Sequence, residues 1–328
     1  MRLDFVCLVL AFMKALVTGG AGFIGSHLTD ALVAQGDEVA VIDNLSSGKE
    51  SNLGYAVAEG ARLHVADITD RDAMLKLSDG FTPEVIFHLA AQVDVHRSFA
   101  DPAFDAQINI AGTANLLECA RRSGARRFVL ASTGGVMYGE GSGRVLPLDE
   151  NEPALPLSPY GQSKLAAEGY VNLYRRLCGV DGVSLRFGNV YGPRQDPRGE
   201  TGVVAIFCGK LRDGGRPEVY GTGRQTRDYV FVADAVRAML DAASAEGPGP
   251  FNIGTGSESS VLELMAILGS EAGRQDFEPV MSPARKGEIE RISIDPSRAA
   301  EHLGWLPETS LEDGLRLTLD SILNPVAG

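Results

Sequence analysis

Short apolar runs alternate with amphipathic stretches through the first half of this chain. Lys14-Ala-Leu-Val-Thr18 is a compact run of strand formers, and Gly19-Gly-Ala-Gly22-Phe-Ile-Gly25 breaks it. Ile24, Leu28, Ala31 and Leu32 then recur at helical spacing. Glu38-Val-Ala-Val-Ile-Asp43 reads as the next strand, followed by 62–67, 84–91, 127–132 and 183–187. Between them, 102–123 predicts one helix with Ile108, Ala111, Leu116 and Cys119 on its apolar faces. Another helix is predicted from Pro159, with Ser158 as its cap. Such alternation implies a mostly parallel sheet covered by helices on both faces, with ligands at the carboxyl ends of its strands. His88, Ser132, Thr133 and Asp43 all fall at such ends.

The strand–glycine turn–helix at 14–33 is the context a dinucleotide fingerprint requires. Gly19 permits the tight turn, Gly22 admits the pyrophosphate to the backbone, and Gly25 lets helix and sheet pack closely. The helix N-terminus then presents its amides to the diphosphate. Asp43 ends the second strand 18 residues after Gly25, where a carboxylate accepts from both ribose hydroxyls and repels a 2′-phosphate. The expected cofactor is therefore NAD(H) rather than NADP(H). Asp67, at the end of the third strand, is placed to face the adenine. Downstream, Tyr160 and Lys164 stand four apart on one helix face, and an ammonium beside a phenol favours the phenolate. That spacing predicts a lowered Tyr160 pKa and a general base or acid usable near neutral pH.

Composition narrows the partners. The 328 residues, 44% of them hydrophobic, suit one large or two coupled domains, and a net charge of −13 without basic blocks disfavours nucleic acid and anionic membranes. Cys7, Cys119, Cys178 and Cys208 have no metal-ligand spacing and fit reduced thiols of a cytoplasmic protein, so no metal is expected. No apolar run is long enough to span a bilayer. Residues 1–12 read as an extension outside the fold, with Met13 as its natural beginning. Between Lys210 and Asp228, five basic residues face three acidic ones, a local excess suited to an anionic substrate.

Thr18-Gly-Gly-Ala-Gly-Phe-Ile-Gly25, Asp43-Asn-Leu-Ser-Ser-Gly48, His88-Leu-Ala-Ala91, Ser158-Pro-Tyr-Gly-Gln-Ser-Lys164, Arg186-Phe-Gly-Asn-Val-Tyr-Gly-Pro193 and Arg227-Asp-Tyr-Val230 together resemble the extended short-chain dehydrogenase/reductase family. Within it, the chain is similar to the UDP-glucose 4-epimerase-like sugar-nucleotide enzymes from about Met13 to Leu319. The resemblance implies a Rossmann-type doubly wound parallel sheet with a smaller α/β substrate-binding domain. Residues 13–185 and 229–255 would bind NAD, and 186–228 with 256–322 would bind the sugar nucleotide. Tyr160 would be the catalytic base and acid, with Lys164 holding the nicotinamide ribose. Phe23, Ile24, Asn44, Ile68, Leu89, Ala90, Ala91 and Asn109 would complete the cofactor site. Asn189, Gly202, Val203, Val219, Tyr220, Arg227, Arg285 and Glu288 would bind the UDP-sugar, with Arg227 and Arg285 on the diphosphate. The helices around 104–122 and 159–178 would pair two subunits in a homodimer.

One position departs from the family pattern. Many relatives carry a catalytic Ser or Thr four residues before the Tyr-Gly pair, and here that position is Gly134. Thr133, Ser132 or water is left to supply the hydroxyl. Related 4,6-dehydratases carry an Asp-Glu pair in this segment to eliminate water, whereas Gly134-Gly135 offers no acid or base. The implied reaction is epimerisation at C4 of a UDP-hexose through a 4-keto sugar. Other NAD-dependent sugar-nucleotide modifiers of the same fold, and a non-enzymatic NAD-sensing module, are the alternatives.

Overall fold

The computed structural model describes residues 12–197, 202–245, 247–284 and 288–324. The expected extension therefore lies outside the described residues except for Phe12. The first half runs β1 (Lys14–Thr18), α1 (Phe23–Ala34), β2 (Glu38–Asp43), α2 (Gly54–Ala58), β3 (Arg62–Val65), α3 (Arg71–Phe81), β4 (Val85–His88), α4 (Val95–Ala100), α5 (Pro102–Ala106), α6 (Thr113–Ser123), β5 (Arg127–Thr133), α7 (Pro159–Cys178) and β6 (Gly182–Phe187). The second half adds β7 (Asn189–Tyr191), α8 (Val203–Arg212), β8 (Glu218–Tyr220), β9 (Thr226–Arg227), β10 (Tyr229–Phe231), α9 (Val232–Ser244), β11 (Phe251–Ile253), β12 (Ser259–Ser260), α10 (Val261–Glu271), β13 (Val280–Ser282), α11 (Ser297–Leu303) and α12 (Leu311–Leu323).

Seven strands form one parallel sheet in the order β3-β2-β1-β4-β5-β6-β11. Chain direction across the sheet reverses between β1 and β4, the switch point of a doubly wound fold. Alternate residues of each strand feed opposite cores. Ala15, Val17, Val39, Val41 and Phe87 pack under Leu28 and Leu32 of α1 and Met239 of α9. Leu16, Ile42, Ile86 and Phe128 pack under Met74 of α3, Leu116 of α6 and Val171 of α7. This two-sided burial explains why the strands read as unbroken apolar runs. A separate core around Tyr191, Phe207, Leu264 and Leu315 joins α8, α10 and α12 beside the β7–β10 pair.

Three elements differ from their sequence patterns. The strand expected over 84–91 ends at His88, where Leu89 N and Ala90 N both turn to Thr18 O. The expected single helix over 102–123 is three segments, because Gln107–Gly112 is wound as a π-helix between α5 and α6. Such a wide turn often marks a functional site, and this one carries Asn109. The strand expected over 62–67 stops at Val65, because Asp67 Oδ1 folds back to accept from Thr69 N at 2.8 Å and Thr69 Oγ1 at 2.7 Å. No described helix is long and apolar enough to cross a membrane.

Candidate active site

The glycine turn lies at the β1–β4 switch point. Gly19 has φ +72°, and a Cβ there would stand 2.7 Å from Ala90 N. A Cβ on Gly25 would stand 2.1 Å from Gly19 O, so side chains at either place would force turn and helix apart. Leu89 N and Ala90 N both donate to Thr18 O, locking the end of β4 onto the end of β1. Gly22 caps α1 without a side chain, and the first turn of α1 contains no acid. The leading amides of α1, those of Phe23, Ile24 and Gly25, precede the first intrahelical donor and suit a diphosphate. Asp43, 7% exposed, accepts from Ala21 N at 3.0 Å and Leu45 N at 2.8 Å. These bonds aim it beside the turn with lone pairs left for ribose hydroxyls. Asn44 donates to Asp67 at 2.8 Å, and Ile68 is buried against the π turn at Gly112. This cradle fits a dinucleotide.

Ser158 accepts from Gly161 N at 3.1 Å and Pro159 occupies the first turn, so α7 starts where its sequence predicts. Tyr160, Lys164 and Glu168 then share one face over the carboxyl ends of β4 and β5. The Thr133 hydroxyl is placed to donate to the Tyr160 phenol. Ser132, the alternative hydroxyl, is engaged elsewhere and donates to Glu168 Oε1 at 2.6 Å. The direction expected for Tyr160 is reversed: burial, then the Asp105 carboxylate, push its phenol up, and the Thr133 bond only partly opposes them. Lys164 does not offset this, because its ammonium donates to Ala131 O at 2.8 Å. Burial pushes Lys164 down to about 8, against the pull of Asp105 and Glu168.

Behind the pair lies a polar network that strand and helix periodicity did not disclose. Glu168 and Arg186, both buried, pair at 2.8 Å, and Arg186 Nη1 donates to Tyr138 Oη at 2.9 Å. The i+4 spacing of Glu168 from Lys164 was a usable signal; its partner on β6 was not. Asn109, 2% exposed, accepts from Gln92 N at 2.9 Å and donates to Ser163 Oγ at 3.0 Å. The π turn is thereby fastened to α7. Thr113 Oγ1 gives its proton to Asn109 O at 2.6 Å, so it accepts from His88 Nε2 at 3.0 Å. Nδ1 of His88 then accepts from Thr18 Oγ1 at 2.7 Å. Burial, with Lys164 second, pushes His88 down to about 3, and the imidazole is a neutral strut.

The glycines at 134 and 135 do not leave a void. A Cβ on Gly134 would meet Ile294 Cδ1 at 2.7 Å, and one on Gly135 would meet Asn189 Oδ1 at 3.0 Å. Their small size instead admits Ile294 and Asn189 to the loop after β5. Of the expected substrate residues, Arg227 and Glu288 are brought together at 3.9 Å, and burial pushes the Arg227 guanidinium down. Val219 is buried and Tyr220 half-buried on β8, while Gly202 caps α8 just before Val203. Arg285 lies outside the described residues. Arg212 pairs with Asp213, and Arg216 donates to Glu278 O and Pro279 O. Three tethers fasten the loop after β7 to the nucleotide side: Arg194 to Asp30 at 2.6 Å, Lys49 to Asp196 at 3.1 Å, and His27 Nε2 to Pro193 O at 2.9 Å.

Residues 16–318 match the family model described as GDP-mannose 4,6 dehydratase. The UDP-glucose 4-epimerase of Mycolicibacterium smegmatis is 46% identical over 314 residues, which span 95% of this chain and 99% of that protein. The crystal structure of UDP-glucose 4-epimerase from Thermotoga maritima with UDP-glucose is 45% identical, with a TM-score of 0.90 over 94% of this chain and 98% of that one. The Thermus thermophilus UDP-glucose 4-epimerase, in complex with NAD, is 41% identical, with a TM-score of 0.88 over 96% of this chain and 100% of that one.

Proposed function

The chain belongs to the GDP-mannose 4,6 dehydratase family of extended short-chain dehydrogenases/reductases, and on that premise we propose that it is an NAD-dependent UDP-glucose 4-epimerase. The observation that carries this reading is the pairing of Tyr160 with Thr133 beside Gly134 and Gly135, which bring no second acid or base to that place. Gly134 and Gly135 are closed over by Ile294 and Asn189, so a dehydratase's acid–base pair has neither the groups nor the space. One shared proton carrier suits epimerisation.

Bound NAD supplies a reversible hydride acceptor for the sugar C4. The chain's own residues do the rest. Tyr160 takes the proton of the C4 hydroxyl, with the Thr133 hydroxyl bridging sugar and phenol, and returns it once the 4-keto sugar has presented its other face. Formation of the phenolate runs against burial, and Lys164 would be the residue that holds the nicotinamide ribose and favours the phenolate with its cation. Asn189, Gly202, Val203, Val219, Tyr220, Arg227 and Glu288 hold the nucleotide while the sugar turns. Arg227, close to Glu288, is the diphosphate ligand in this reading.

Residues 13–185 with 229–255 form the NAD part, and 186–228 with 256–322 the sugar-nucleotide part. Tyr170, Leu173 and Leu177 form an exposed stripe along α7 that supports a homodimer through this helix. The reading extends to a cytoplasmic enzyme of galactose metabolism, and the free Cys119, Cys178 and Cys208 are in keeping with a reducing compartment. The test is incubation with UDP-[4-²H]glucose, which should give UDP-galactose still deuterated at C4 without net NADH. Loss of the label to solvent, or product formed only with matching NADH, overturns the reading.

A further inference from the structure

Where α7 comes to rest along the sheet decides whether Tyr160 meets Thr133. Ala167 and Val171 press the helix onto the sheet, but apolar contacts have no direction of their own. Polar bonds have one. Two turns beyond Tyr160, Glu168 lies between β5 and β6, and Arg186 is the register partner of Ser132 on the neighbouring strand. Arg186 Nε donates to Glu168 Oε1 at 3.1 Å and to Oε2 at 3.2 Å, and Nη2 donates to Oε2 at 2.8 Å. Its third nitrogen, Nη1, donates to Tyr138 Oη, which passes the hold on to Asn252 Oδ1 of β11 at 2.7 Å. The two charged side chains are 7% and 5% exposed. A pair so deeply buried is a poor source of stability, because desolvation takes back much of the attraction, and apolar residues of similar size often serve as well. What the pair does supply is aim, since a planar guanidinium fork holds a carboxylate in a fixed geometry.

We propose that Arg186 is a positioning residue for the proton carrier, its fork on Glu168 setting where α7 lies along β5 and so bringing Tyr160 to Thr133. The proposal rests on Tyr160 being that carrier. Lys164 binds Ala131 O, Glu168 binds Ser132, and Thr133 is the next residue, so α7 is fastened to β5 directly before the hydroxyl that Tyr160 must meet. Ser132 gives one of the four bonds to Glu168, and the fork holds the helix without it. A displacement of about 1 Å at the reacting atoms can lower turnover by roughly a hundredfold while the ligands stay bound.

The experiment replaces both members by apolar residues of similar volume, Glu168→Leu with Arg186→Met, and compares this double variant with the wild type, each loaded with NAD. The double variant should melt within about 5 °C of the wild type. Its NAD affinity and its KM for UDP-glucose should stay within about threefold, while kcat falls by about ten- to a hundredfold. Crystal structures of the two NAD-loaded proteins should differ by on the order of 1 Å in the place of Tyr160 relative to Thr133. Arg186→Lys keeps the charge but loses the fork, and its kcat should fall between the two. Wild-type kcat in the double variant, or an unshifted Tyr160, overturns the proposal. So does a joint loss of melting temperature, NAD affinity and kcat, which marks a merely structural pair. Should the double variant fail to fold, Arg186→Lys is judged by the same split, and an unchanged kcat there overturns the proposal. The crystallographic comparison needs no turnover, so it stands apart from the deuterium test: washout of label would refute the epimerase and leave the displacement of Tyr160 to be read.

Discussion

Replacing Gly25 by alanine tests how closely α1 must approach the turn that precedes it. The added methyl would sit 2.1 Å from Gly19 O and 2.8 Å from Gly19 C and Gly20 Cα, all backbone atoms. Ordinary contacts lie near ~3.5 Å, so the helix must withdraw by on the order of 1 Å. Overpacking of this kind costs about 1–3 kcal/mol of stability. The same withdrawal carries the leading amides of α1 away from a diphosphate, and each charge-assisted bond contributes roughly 1.5–3 kcal/mol. Losing even one weakens NAD binding by about tenfold or more. Gly22→Ala is the matched control. Gly22 has φ −77° and ψ −177°, open to any residue, and its Cβ would meet only Gly19 O, at 3.1 Å. It should melt within about 0.5 kcal/mol of the wild type without cofactor, yet lose NAD affinity, because its methyl faces the pyrophosphate. Thermal unfolding of the cofactor-stripped proteins, with NAD titrated by calorimetry, separates the two effects. A Gly25→Ala protein with wild-type melting and NAD affinity would refute the argument.

Three further outcomes follow from the site. Tyr160→Phe should fold and bind NAD normally but lose about two to four orders of magnitude in turnover, measured as UDP-galactose formed. Thr133→Val should lower turnover with little effect on melting, while Ser132→Ala should do the reverse by unfastening Glu168; equal, small effects on turnover would remove Thr133 from the proton path. His88 is held near 3 when folded against 6.5 when unfolded, so the unfolded chain binds the extra proton between those values. Its contribution is present above pH 6.5 and is lost as pH falls toward 3, up to roughly 5 kcal/mol, and His88→Gln should flatten the melting temperature over that window.

The strands, the glycine turn and the start of α7 were legible because each is written in adjacent residues: an apolar run, a missing Cβ, a Ser-Pro cap. What lay beyond reach was long-range. Arg186 meets Glu168 only because β6 lies beside β5 under α7, and Ile294 meets Gly134 from 160 positions away. The phenol's direction of titration was misjudged for the same reason. A four-residue spacing discloses the lysine, but the burial and the Asp105 charge that outweigh it come from packing. The π turn leaves no mark in hydrophobic periodicity, because one widened turn hardly changes which residues are apolar.

The three tethers between the loop after β7 and the nucleotide side would let the two ligands answer to one another. α1 carries the amides for one diphosphate, and the loop held to it through Asp30, His27 and Lys49 leads on toward Gly202 and Val203 at the start of α8. Surface pairs of this kind contribute only about 0–1 kcal/mol each, so the fastening is light enough to be biased by what binds on either side. Thermodynamic reciprocity then fixes the exchange: whatever factor the seated cofactor adds to the affinity for sugar nucleotide, the sugar nucleotide must add to the retention of cofactor. A catalyst that must never release its redox partner between half-reactions would gain most from such mutual hold while the sugar is turning.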